Sequence, residues 1–169
     1  MPTFDERFAE LFHGNSDRLT RVMARLSGEP DLAADVVQDA FVRLHQRGSF
    51  PDAPAAWVIS VALNLFRNAR TTERRRERLL SLDRGARAHS DPAPSPDDRL
   101  VADETQARVR RAIEHIPERD RQLLLLRAEG YSYRELAESL HILETSVGTL
   151  LARAKESFRH AYRDGPHAP

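Results

Sequence analysis

The chain has 169 residues, 40% of them hydrophobic, which is enough to bury one ordinary core or two small ones and excludes wholesale disorder. Its 26 basic and 26 acidic residues cancel, so any local cationic patch stands out from a neutral background. With no cysteine there is no disulfide and no thiolate metal site, the N-terminus "MPTFDERFAE" has no signal-peptide pattern, and no run approaches the roughly 18 apolar residues of a membrane span. A cytoplasmic protein without membrane insertion is the expectation.

Helical periodicity runs almost throughout, and the fold class expected is all-α. Phe4, Phe8, Leu11 and Phe12 share one face of a first segment, and Leu19, Val22, Met23 and Leu26 one face of a second, closed by Gly28 and Pro30. "DLAADVVQDAFVRLHQR" places Leu32, Val36, Val37, Ala40, Phe41 and Leu44 on one stripe. "GSFPDAP" is a loop in which Asp52 is the expected helix cap and Pro54 suits the first turn. The helix that follows, "AAWVISVALNLF", is apolar almost all round and should be the most buried element, with Trp57 in its core. From Asp83 to Glu104 the pattern collapses into three prolines and six acids against three arginines, a flexible acidic linker. Two small helical domains result: an N-terminal helical bundle over 1–82 and a C-terminal domain over 105–164, joined by the linker at 83–104.

Four helices are expected in the C-terminal domain. "TQARVRRAIEHI" stops at Pro117, and "ERDRQLLLLRAEG" runs to Gly130. Ser132 and Glu135 have capping-box spacing ahead of Leu136, Ala137 and Leu140. After a turn at 141–143, Val147, Leu151, Ala154 and Phe158 form one buried stripe of the last helix. A short capped helix, a turn and a longer helix make a helix-turn-helix candidate, for which plain bundle packing is the alternative.

The neutral balance of the chain is broken in "NLFRNARTTERRRER". At about 100° per residue, Arg67, Arg70, Arg74 and Arg78 fall within roughly 80° of one another. Two readings are open: a solvated helix end, favoured by the C-terminal dipole, or an edge that follows a phosphate backbone. Asn64 and Asn68, beside the stripe, offer both donor and acceptor to a base edge.

These residues carry a resemblance. "AADVVQDAFVRL" with "AAWVISVALNLFRNARTTERRR" resembles the second region of bacterial sigma factors. "IEHIPERDRQLLLLRAEGYSYRELAESLHILETSVGTLLARAKESF" resembles their fourth. The short linker between them is similar to that of the extracytoplasmic-function (ECF) group.

The resemblance implies a non-enzymatic subunit that binds core RNA polymerase, at its clamp helices and flap, and promoter DNA. It implies that Asp35, Gln38, Asp39 and Arg43 face the clamp helices. Phe50, Asn64, Arg67, Asn68, Arg70 and Arg74 would meet the minus-ten element, Phe50 by stacking on a flipped base and Asn64 by reading one. For Phe50 an ordinary loop anchor is the other reading. Thr145, Ser146, Thr149, Ala152 and Arg153 would meet the minus-thirty-five element in the major groove. Gly148 and Leu150 stand where the family pattern carries a lysine and an arginine, which weakens the expected phosphate anchoring. His141 replaces the usual turn glycine and is expected in a left-handed conformation. An anti-sigma factor is a further implied partner. No cofactor or metal is expected, because the seven histidines show no ligand spacing. The alternative function is a sigma-like decoy that captures a regulatory protein without binding DNA.

Overall fold

Seven α-helices carry the described residues, 1–83 and 100–164, of a computed structural model, and no strand occurs among them. Helix α1 (Phe4–Ser27) opens on a capping box in which Thr3 Oγ1 accepts from the Glu6 amide at 3.2 Å and the Glu6 carboxylate accepts from the Thr3 amide at 2.7 Å. The two apolar segments expected around Phe4 and Leu19 are one continuous helix, because Gly14 between them is neither a stop nor a kink. Gly28 and Gly48, both left-handed, close α1 and α2 (Pro30–Arg47).

Helix α3 (Pro54–Asp83) begins on Pro54 as expected, but its cap position falls on Ala53, whose carbonyl accepts from the Trp57 amide at 2.9 Å. Asp52 stands one residue too early for the cap assigned to it. The first half of α3 is the centre of the bundle: Val58, Ile59, Ala62, Leu63 and Phe66 are buried against Leu19, Val22 and Met23 of α1 and Val37, Phe41 and Leu44 of α2. Trp57 is half-buried on the rim of that core. Burial of each large side chain contributes about 1.5–3 kcal/mol, so the alternating polar face of α2 can stay in water.

The second half of the chain forms α4 (Leu100–Glu114), α5 (Glu118–Ala128), α6 (Tyr133–Leu140) and α7 (Glu144–Asp164). Residues 100–104, assigned to the linker from their acidity, belong to α4. No proline or glycine interrupts the sequence between Pro96 and Pro117, so acidity alone does not keep this stretch from being helical. Residues 84–99 of the expected linker lie outside the described residues. Ser132 and Glu135 make the expected capping box of α6, and His141 takes the left-handed conformation at φ 54° and ψ 49°. Val147, Leu151 and Ala154 are buried as expected, while Phe158 is half-buried against Tyr162.

The two halves share a core. One cluster of buried side chains runs from the α1–α3 bundle through Tyr131 into Leu123, Leu126, Leu136, Val147 and Leu151. Helix α5 packs on α1, and α6 on α3.

Candidate nucleic-acid interface

The character of α3 changes at one residue. Phe66 is buried, and beyond it Arg67, Asn68 and Arg70 are exposed, as is every residue from Thr71 to Leu80. Helix propensity and the absence of proline or glycine carry the helix on past the end of the core it packs against. The result is a cationic rod projecting from the bundle. Arg67 Nη1 donates to Asn64 Oδ1 at 3.2 Å, and Thr71 Oγ1 donates to the Arg67 carbonyl at 2.9 Å. The Arg70 guanidinium lies 5.5 Å from the Phe66 ring centroid, which steadies it at the root of the rod. All five are exposed, and at about 100° per residue Asn64, Arg67 and Arg74 share one edge, with Arg70 beyond Arg74 and Asn68 beyond Asn64 at its two margins.

Phe50 is held by its own chain. Its ring is half-buried 5.0 Å from Phe4, with the Arg7 guanidinium 4.4 Å above it. These contacts anchor the loop.

On α7 the outward face at the helix start holds Thr145, Thr149, Ala152 and Arg153, all exposed, and Ser146, half-exposed. Leu150 leans on the core, and a Cβ added to Gly148 would sit 3.7 Å from the Tyr133 ring. Leu150 thus takes part in packing, and Gly148 leaves room beneath the Tyr133 ring.

Helix α2 presents Asp35, Gln38, Asp39 and Arg43 on its exposed side, with Val42 exposed among them. Beside them runs a groove of about 590 Å³ between α1 and α2, lined by Phe8, Phe12, Phe41, Val42, Gln38 and His45. This aromatic groove was not anticipated. Its signal in the sequence is Val42, an apolar residue interrupting a polar face.

Asn64 and Arg67 do not look onto open solvent alone. They form one wall of a crevice of about 330 Å³ whose other wall is Arg119 and Gln122 of α5 and Leu140 and His141 at the end of α6. Ser60 Oγ lies 3.3 Å from His141 Nε2 across it. Among the described residues no group of histidine, aspartate and glutamate could hold a metal ion, and no helix is long and apolar enough to cross a membrane.

Comparison with known proteins gives two family matches in series: Sigma-70 region 2 over residues 11–76 and Sigma-70, region 4 over residues 106–158. Between them they span well over half of the chain. Over its aligned length the chain is 29% identical to the ECF RNA polymerase sigma factor SigE of Mycolicibacterium smegmatis, covering 94% of this chain and 61% of that protein. It is 27% identical to the RNA polymerase sigma-H factor of Pseudomonas aeruginosa, covering 85% and 80%. Against the probable RNA polymerase sigma factor RfaY of Xanthomonas campestris the figures are 25% identity, 92% of this chain and 40% of that protein. The chain thus spans about 61% and 40% of the length of two of these relatives. In fold it is similar to the sigma factor RpoE of Bartonella quintana, solved with the anti-sigma factor NepR, at a TM-score of 0.62 and 20% identity over 95% of this chain and 99% of that one.

Proposed function

Because the chain belongs to the sigma-70 family, in its extracytoplasmic-function group, we propose that it is a promoter-specificity subunit of RNA polymerase. The polar side of α2, with Asp35, Gln38, Asp39, Arg43 and the aromatic groove beside them, docks on the clamp helices of the core enzyme. The edge of α3 then meets the melted minus-ten strand: Asn64 reads a base while Arg67, Arg70 and Arg74 bind phosphates and Asn68 assists. Phe50 supports that edge by fixing the preceding loop. Residues Thr145, Ser146, Thr149, Ala152 and Arg153 of α7 enter the major groove at the minus-thirty-five element. Extruding and holding a base costs a few kcal/mol, which contacts to the flipped base and its strand offset. The phosphoryl-transfer chemistry belongs to the polymerase, and the protein acts beside it in the cytoplasm. An anti-sigma factor covering these faces would control it.

The observation that supports this reading best is the cationic rod of α3, continuous with the bundle and carrying Asn64 at its root. A decoy that captures only a regulatory protein has no use for that edge, although the uncharged Gly148 and Leu150 would suit one. Affinity capture with purified core polymerase separates the two: a sigma factor is retained by the core enzyme at moderate salt. Retention by an anti-sigma protein and never by polymerase would establish the decoy instead.

A further inference from the structure

The turn into α7 carries a side chain that the fold itself does not use. Leu143 immediately precedes Glu144, the first residue of α7, and its carbonyl accepts from the Ser146 amide at 2.9 Å. The side chain is 72% exposed, more than any other large apolar residue among the described residues except Met1. Its neighbour Ile142 packs on the core, so the turn is anchored without it. Nor does Leu143 cap the helix. Leucine has no side-chain acceptor for the free amides of a first turn and ranks among the poorest residues at this position. Elsewhere the same chain places Thr3 and Ser132 there, each in a complete capping box. Neither burial nor capping accounts for a leucine held in water where a serine would stabilise the helix.

Its surroundings are short and methyl-bearing. Thr145, Thr149 and Ala152 are exposed and lie within about 60° of one another on the outward face of α7. The exposed charges nearest to them, Glu144 and Arg153, are of opposite sign, and Gly148 and Leu150 add none. Such a face is poorly equipped to hold phosphates and well equipped for apolar contact. Among the bases read in the major groove, thymine alone carries a 5-methyl group, and apolar side chains recognise it. With the start of α7 in that groove, the residue before the helix lies at the entering tip.

Resting on the sigma-factor reading above, we propose that Leu143 is a specificity-determining residue for the minus-thirty-five element and packs on the 5-methyl group of one thymine. The methyl-bearing side chains of Thr145, Thr149 and Ala152 continue the apolar strip along the groove. Salt screens charges and not this contact, so the discrimination persists at ionic strengths that weaken phosphate binding.

The test uses the full chain with core RNA polymerase on a duplex promoter selected from a randomised library. Each thymine of the upstream element is replaced in turn by uracil, which removes only the methyl group. At one position the uracil promoter should bind about fourfold more weakly, the worth of one buried methyl group. With Leu143→Ser the thymine and uracil promoters should bind alike, whereas Leu143→Met should keep most of the difference. Serine is the better cap, so urea unfolding of the serine variant should have a midpoint at or above the parent's, which separates a lost contact from a lost fold. An upstream element in which no thymine methyl group matters overturns the proposal. So does a thymine-to-uracil ratio that is the same in Leu143→Ser as in the parent. If no template gives a polymerase-dependent complex, the sigma-factor reading fails and takes this proposal with it.

Discussion

Asn64 and Arg70 lie less than two turns apart on α3, yet they should fail differently. A carboxamide that reads a base discriminates by about 1–3 kcal/mol at one position, whereas a guanidinium on a phosphate contributes equally to every sequence. Asn64→Ala should therefore change base preference within the minus-ten element. Arg70→Ala and Arg74→Ala should weaken all promoters alike, each lowering the salt slope of binding by about one. Promoter selection from a mixed template pool, repeated across salt concentrations, distinguishes these outcomes. An Asn64→Ala chain with the parent's preferences would contradict the base-reading role. At this scale the sequence was informative where chemistry and spacing coincide, as in the arginine edge and the left-handed His141. It was ambiguous for Phe50, because an aromatic residue in a loop serves stacking or anchoring equally well; its packing on Phe4 and Arg7 was not legible in the sequence.

Helix α6 is the element most dependent on local signals. It has only eight residues, and an isolated helix of that length is unstable in water. Its start is fixed by Ser132 Oγ, which accepts from the Glu135 amide at 3.2 Å, and by the Glu135 carboxylate, which accepts from the Ser132 amide at 2.7 Å. Ser132→Ala should cost about 1 kcal/mol of stability, read as a lower midpoint in urea unfolding. A midpoint equal to the parent's would mean that packing alone starts the helix. The helices were legible because apolar spacing and caps agree, as at Leu136, Ala137 and Ser132. Boundaries were less so. Acidity at 100–104 suggests a linker although no proline or glycine breaks a helix there, and Asp52 resembles a cap until the helix is seen to start at Pro54.

At the scale of the molecule the two halves meet through groups that no periodicity connects: Glu129 and Tyr131 on one side, Arg18, Arg21 and Arg25 on the other. A local pattern cannot reveal a contact across more than a hundred residues of chain, so this part of the fold was not readable beforehand. Tyr131 reports on it. The side chain is fully buried, its hydroxyl has no protein partner, and burial pushes its pKa from 10.0 up to about 12, against a smaller opposing effect of Arg18. A raised value means that the folded state favours the neutral phenol. Its contribution is intact below pH 10 and is lost as pH rises toward about 12, on the order of 2 kcal/mol in all. Tyr131→Phe should remove most of that alkaline loss while leaving stability at neutral pH equal or slightly higher, since no hydrogen bond is given up. Chemical denaturation across that pH range tests it, and an undiminished loss in the Phe variant would place the titrating group elsewhere.

The most direct measurement of the whole account is transcription in vitro from a randomised promoter library, with purified chain and bare core polymerase as the only proteins. Transcripts that require both proteins and share two separated upstream sequence elements are the predicted result. A library from which no template is ever initiated, with every inhibitor absent, would contradict it.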